Sequence, residues 1–356
     1  MIGIVGGGLS AAKLAESYRE AGGRDEITMW SLDARGPYNR PPLSKRLLRG
    51  ESAPEDALVH PLDWYAEHGI DLRLGEEAGS LDEVDADVVV IATGARPRPL
   101  GDALRLRTLD NSLEIRRHAL DARTATVVGG GFIGCEVTAS LTQMGLQVTQ
   151  IVRDPMVFAP LQCAPLSEAL HDRYREHGVD LRLDEAEIPD ADLVVAGIGV
   201  EPNVEIGRDA GLEVRSGIVV DERFRTAREG VYAIGDVAEF FDPLFGRHRR
   251  IEHWSNAAYH GTTLGRILAG DEDARYDTVS AFFSEQFGRS FRSLGDPTGH
   301  DDTSLDGDFH DERAVFRFFQ AGNTIGAVIT GVDGDEEAAL KEEIRAGAAR
   351  AAAAAR

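Results

Sequence analysis

The chain has almost no cysteine. Only Cys135 and Cys163 occur in 356 residues, far apart and in no Cys-x-x-Cys arrangement, which argues against a disulfide framework, a thiolate zinc site and a dithiol redox centre. Cys135 reads as a small apolar residue within a helix. Lysine is nearly as scarce, with three against 35 arginines, so a lysine in a structured loop raises the question of why a compact ammonium stands there. No apolar run approaches the roughly 18 residues of a membrane span. Positive charge is not in excess either: 61 acidic and 38 basic residues give a formal charge of −23, which speaks against nucleic acid and anionic membranes as partners. A strand pattern begins at Ile2, directly after Met1, leaving no room for a targeting segment before it and predicting a cytoplasmic protein.

The length suits two or three domains of roughly 100 to 150 residues each. Glycine marks where they begin. Ile2 to Val5 reads as a strand, Gly6-Gly7-Gly8-Leu9-Ser10-Ala11 as a G-x-G-x-x-A turn, and the residues to Ala21 as a helix. Gly6 permits the tight turn, Gly8 lets the backbone approach a pyrophosphate, and the phosphates then rest on unpartnered amides at the helix start. A second strand, Ile27 to Trp30, ends near Asp33, the carboxylate available to a ribose. The grammar repeats at Thr124 to Val128, with Gly129-Gly130-Gly131-Phe132-Ile133-Gly134 and a helix to Met144. Two fingerprints in one chain imply two nucleotide sites. At the second ribose position stand Val152, Arg153 and Asp154. Arg153 suits the 2′-phosphate of NADPH and Asp154 suits NADH, and spacing leaves both open.

Between the fingerprints lies Pro37-Tyr38-Asn39-Arg40-Pro41-Pro42-Leu43-Ser44-Lys45, a loop stiffened by prolines that ends by presenting Lys45. The run Ala86 to Ile91, closed by Ala92-Thr93-Gly94, reads as a buried parallel strand turning against a ligand, and Arg96 to Pro99 as a linker. A similar strand runs from Leu193 to Gly197, Ile198 and Gly199. Val231 to Ile234 leads into Gly235-Asp236, where the carboxylate is placed either to accept from ribitol hydroxyls or to cap a helix. A helix is expected from about Trp254 to Leu268, and a third, α+β segment from about Ala281. The tail from Glu336 runs into Ala and Arg and reads as a helix with a frayed end.

Taken together, N-R-P-P-L-S-K, A-T-G-A-R-P-R, G-G-G-F-I-G-C-E, G-I-G-V-E-P-N, Y-A-I-G-D and R-I-E-H-W-S-N-A resemble the FAD-dependent NAD(P)H:ferredoxin reductases of bacterial oxygenase systems, related to rubredoxin reductase and apoptosis-inducing factor. The resemblance runs from Ile2 to about Ile344. It implies an α/β fold with two Rossmann-like dinucleotide-binding domains, glutathione-reductase-like, and a C-terminal α+β domain. The expected division is 1–101 with 217–280 for FAD, 102–216 for NAD(P)H, and 281–356 for the last domain.

The resemblance further implies that Lys45 lies beside flavin N5, that Glu136 faces the nicotinamide, and that the two side chains pair. On its residues alone Glu136 is equally a first-turn carboxylate satisfied by the helix dipole. For FAD the expected contacts are Gly6, Gly8, Leu9, Ser10, Asp33, Arg40, Lys45, Ala78, Ala92, Thr93, Gly94, Gly235, Asp236 and the Trp254 backbone. For NAD(P)H they are Gly129, Gly131, Phe132, Ile133, Gly134, Glu136, Arg153, Gly197, Ile198 and Phe283. Phe283 stands where the family usually has tryptophan, and Leu32 where it usually has the acidic ribose ligand. The hairpins that often precede both A-T-G-type strands are missing, which gives a trimmed chain. The implied activity takes hydride from NAD(P)H onto FAD and passes single electrons to a [2Fe-2S] ferredoxin that feeds an oxygenase. Arg247, Arg249, Arg250, Arg289 and Arg292 are the candidates for docking it. The rival readings are a rubredoxin reductase or NADH oxidase on the same scaffold, and a flavin-bound interaction protein that responds to NADH.

Overall fold

The computed structural model describes residues 1–354. The chain divides into two compact units, one made of residues 1–39, 57–96 and 201–278, the other of 40–56, 97–200 and 279–356. Among the described residues no helix is long and apolar enough to cross a membrane.

The first unit holds a five-stranded parallel sheet in the order Val231–Ala233, Val88–Ile91, Ile2–Val5, Ile27–Ser31, Ile70–Leu74. Every residue of Ile2–Val5 is buried, as a strand covered on both faces requires. The chain leaves Ile2–Val5 towards Ile27–Ser31 on one side and returns to Val88–Ile91 on the other. That reversal opens a crevice at the carboxyl ends of the two central strands, where doubly wound sheets take their ligands. Helix Leu9–Glu20 runs against helix Trp254–Leu268 with little room between them. A Cβ at Gly261 would sit 2.3 Å from the Ser10 carbonyl oxygen, and one at Gly265 2.6 Å from that of Leu14.

The second unit repeats the plan with Leu104–Arg105, Leu193–Ala196, Thr124–Val128, Gln147–Val152 and Asp180–Leu183, all parallel. Here the reversal lies between Thr124–Val128 and Leu193–Ala196. The same unit holds an antiparallel sheet in the order Ala281–Gln286, Arg289–Gly295, Asn323–Thr330, Ala314–Gln320, Asp302–Gly307. Helix Gly334–Ala354 packs on it through Leu340, Ile344 and Ala348. The expected α/β class, with two Rossmann-like sheets and a C-terminal α+β part, is the observed one.

Two details differ from expectation or bear it out. The Arg96–Pro99 stretch is not simply a linker, since Ala95–Pro97 is a short strand. Between Ile70–Leu74 and Val88–Ile91 only a 3-10 turn, Leu81–Glu83, intervenes, and no strand precedes Leu193–Ala196 after Asp180–Leu183. The trimming was therefore visible in the sequence. The frayed end expected of the tail falls at 355–356, outside the described residues.

Candidate active site

The two crevices are built alike. Gly6 has φ +120°, and a Cβ there would lie 2.2 Å from the Ala92 carbonyl oxygen. Gly129 has φ +128°, with the Gly197 carbonyl oxygen 2.3 Å from its would-be Cβ. In each case glycine is required because the turn touches the end of the neighbouring strand. Gly134 closes the second turn, its Cβ direction blocked at 2.3 Å by the Gly129 carbonyl oxygen. Gly8 and Gly131 occupy the helix N-cap positions with no side-chain cap, so the first-turn amides are left for an anion. A Cβ on Gly131 meets nothing within 4 Å. Uncapped amides facing open space fit a dinucleotide pyrophosphate.

Around the first crevice, Leu9 and Ser10 begin the helix, and the Ser10 hydroxyl lies 2.8 Å from the Cβ direction of Gly235, itself at φ +74°. The Gly235 amide donates to Nδ1 of buried His260 at 3.2 Å. Burial lowers the His260 pKa to about 3, so the imidazole stays neutral and Nδ1 remains an acceptor. Asp236 follows, half-buried. Thr93 and Gly94 are tied to Asn203: the Thr93 hydroxyl donates to the Asn203 carbonyl at 2.7 Å, the Asn203 side chain returns a bond to the Thr93 carbonyl at 2.9 Å, and its amide reaches the Gly94 carbonyl at 2.9 Å. Ala78 and Ala92 are buried. Trp254 is 41 % exposed, its indole N–H donating to Asn39 Oδ1 at 2.7 Å. Asp33 spends both oxygens within its own loop, accepting from the Tyr38 hydroxyl at 2.7 Å and the Arg35 amide at 3.0 Å, while Leu32 is exposed.

In the second unit Lys45 and Glu136 meet. Lys45 Nζ lies 2.5 Å from Glu136 Oε2, the side chains 14 % and 6 % exposed. The Ser44 hydroxyl donates to the same oxygen, and the Ser284 hydroxyl donates to Oε1 at 2.5 Å. The Phe283 ring, partly exposed, is centred 5.8 Å from Lys45 Nζ. Prolines 41 and 42 set the 3-10 turn Pro41–Ser44 that delivers Lys45. The turn is fastened by two buried serines: Ser112 donates to the Leu43 carbonyl and Ser140 to the Ser44 carbonyl, each at 2.6 Å. Arg40, just before it, donates to the Arg107 carbonyl at 3.3 Å. Along the second crevice Phe132 stands edge-on to Phe158 and Phe282, both at 4.9 Å between centroids, while Ile133 and Ile198 are exposed. Val152 is fully buried, and Arg153 and Asp154 are both exposed.

Residues 2–261 match the pyridine nucleotide-disulphide oxidoreductase family. The chain belongs to that family. It is 32 % identical over 332 residues to the ferredoxin–NAD(+) reductase component of the anthranilate 1,2-dioxygenase system of Burkholderia cepacia, covering 82 % of this chain and 81 % of that one. Against putidaredoxin reductase of Pseudomonas putida it is 32 % identical over 342 residues, covering 84 % and 81 %. Its fold superposes on the covalent putidaredoxin reductase–putidaredoxin complex with a TM-score of 0.92 at 29 % identity, covering 97 % of this chain and 93 % of that one. As a member of the family the chain is an oxidoreductase.

The structure corrects one sequence expectation for this oxidoreductase. Arg249 is not a surface docking residue. It is 11 % exposed, pairs at 2.7 Å with the wholly buried Asp242 and lies over Phe245. Arg247 is half-buried. Arg250 is paired with Glu252, Arg292 with Glu337, and Arg289 donates to the His310 carbonyl at 2.9 Å. Four groups were missed altogether. Ser44 was in plain view beside Lys45 but carries no motif of its own. Ser284 and Gln286 alternate along Ala281–Gln286 on its buried face, and polar residues at inward positions of a strand were the available signal. His260 lies one turn from Asn256 on the helix face that packs inward, a buried histidine that sequence does not distinguish from any other.

Proposed function

We propose that this oxidoreductase takes hydride from NADH onto FAD and hands the electrons singly to a small [2Fe-2S] ferredoxin serving an oxygenase. The observation that carries the reading is the buried Lys45–Glu136 pair with its serine donors. FAD supplies, when bound, acceptance of two electrons together and their release one at a time.

The chain's own residues would do the rest. Gly6, Gly8, Leu9 and Ser10 would cradle the FAD pyrophosphate, Asp236 and the backbone at Ala92, Thr93, Gly94 and Gly235 its ribitol side. Gly129, Gly131, Phe132, Ile133, Gly134, Gly197 and Ile198 would take NADH. Glu136 is a fixed carboxylate with donors on both oxygens, and such an anion favours the positive charge that grows on a nicotinamide as hydride departs. Lys45 is a fixed ammonium, suited to the negative charge that arrives with it. Phe283 offers a flat apolar face to a planar ring. NADPH stays a possible co-substrate through Arg153. The division of labour assigns FAD to 1–101 and 217–280 and the nicotinamide to 102–216. Both cysteines are buried free thiols, which fits a reducing cytoplasm.

Anaerobic stopped-flow mixing of the holoprotein with NADH, and separately with NADPH, tests the reading, followed by ferredoxin-dependent reduction of cytochrome c. Rapid bleaching of the flavin and a ferredoxin requirement are expected. Slow reduction to a long-lived charge-transfer complex would overturn it in favour of an interaction protein that responds to NADH.

A further inference from the structure

Glu136 receives its donors unevenly. Oε2 has Lys45 and Ser44, whereas Oε1 is reached by Ser284 alone among the described residues. Behind Ser284, Gln286 Nε2 donates to the Ser284 hydroxyl oxygen at 2.6 Å. Ser284 and Gln286 are 0 % and 1 % exposed, so no solvent substitutes for either bond.

The hydrogens in this chain are forced by counting. A carboxylate only accepts, so the 2.5 Å contact to Oε1 uses the single Ser284 hydroxyl proton. That hydroxyl then has nothing left to donate, and Gln286 must present its NH2 group. The amide therefore turns its own Oε1 away, and that oxygen is buried with no hydrogen-bond partner. An orphaned buried acceptor is unfavourable, and a methionine or leucine would fill the same space without it. Packing alone gives no reason for glutamine here. Supplying a donor that locks the serine rotor does.

We infer that Gln286 is a positioning residue of the Lys45–Glu136 site: it acts through Ser284 to keep the hydroxyl proton directed at Glu136 Oε1, holding the carboxylate in one orientation. The inference deepens the reductase reading and its rate effect rests on it. Without the Gln286 donor the Ser284 hydroxyl is free to rotate, and Oε1 loses its only fixed partner.

The test is a double-mutant cycle on the holoprotein with Ser284→Ala, Gln286→Met and the double variant, read twice: by thermal unfolding, and by the limiting rate of flavin reduction at saturating NADH beside the NADH Kd. Each single change is expected to lower the limiting rate about tenfold, the worth of one hydrogen bond to a charged group, with the Kd little changed. The double variant is expected to lose no more rate than either single, and in unfolding to depart from the sum of the two singles. A Gln286→Met protein as fast as the parent, or losses that multiply in the double variant, overturns the inference. Coupling in the unfolding cycle beside a parent protein that NADH does not reduce upholds the hydrogen-bonded chain and sinks the reductase reading instead.

Discussion

Lys45 Nζ lies 2.5 Å from Glu136 Oε2 although the two residues are 91 positions apart and start from different kinds of structure, a proline-set 3-10 turn and the second turn of a helix whose first turn holds no acidic residue. Removing the ammonium leaves a nearly buried carboxylate supported only by two hydroxyls. Lys45→Ala is therefore expected to slow flavin reduction about tenfold or more, a barrier increase of at least ~1.4 kcal/mol, while the holoprotein keeps most of its flavin. Anaerobic stopped-flow and the flavin-to-protein absorbance ratio check it. Loss of flavin with unchanged reduction in the surviving holoprotein would sink the proposed role of Lys45.

Most of this site was legible because glycine, proline and the strand–turn–helix order carry their own geometry. Gly6 and Gly129 announce turns that no side chain fits, and the same steric fact appears in the structure as contacts with Ala92 and Gly197. What was not legible depends on side chains brought together from distant positions. Ser284 reaches Glu136 across 148 residues, and nothing local to either residue encodes the meeting. Arg249 failed for the opposite reason: a run of arginines looks like surface, and only the pairing of Arg247–Arg249 with Ala238–Asp242 brings Arg249 to Asp242.

That buried pair makes a separate prediction. Asp242 is 0 % exposed, and burial raises its pKa while Arg249 pulls it down. Arg249→Ala strands the carboxylate, and breaking a buried pair from one side costs about 3 kcal/mol or more. The variant should unfold at a markedly lower temperature while a holoprotein that survives keeps its ferredoxin KM. With Arg249 gone the folded pKa rises further, so the folded variant binds protons that the unfolded chain has released. Its deficit should grow with pH above the ordinary 3.8 and shrink as the solution is acidified towards it. A changed ferredoxin KM with parental stability would return Arg249 to the docking surface.

Two imidazoles held neutral by burial should each weaken the first unit in acid. Burial lowers His260 to about 3 and His253 to about 4 from the usual 6.5. The unfolded chain gains a proton at each below pH 6.5 and the folded chain does not, so stability is fully present above 6.5 and falls as pH drops from there towards 4. Each group contributes a slope of up to ~1.4 kcal/mol per pH unit. His260→Gln removes one of the two and should flatten urea unfolding profiles between about pH 6.5 and 4.5. An unchanged slope would mean that His260 is protonated in the folded protein.

The second fingerprint allows packing and ligand space to be separated at neighbouring glycines. A Cβ on Gly197 would stand 2.7 Å from the Gly134 amide nitrogen, and one on Gly129 would add a strained φ of +128° to a 2.3 Å contact. Gly129→Ala should therefore unfold early and lose nucleotide binding together. Gly131 differs: its φ is −87°, it caps the helix Phe132–Gln143, and its Cβ direction is open. Gly131→Ala should melt within a few degrees of the parent, since glycine and alanine at such a position differ by no more than about 1 kcal/mol. If the open space is where the pyrophosphate lies, the added methyl must raise the NAD⁺ Kd by tenfold or more while flavin content stays at the parental level. Equilibrium titration of the holoprotein with NAD⁺ reads this without turnover. A Kd unchanged in the Gly131→Ala protein would remove the second fingerprint from the nucleotide site.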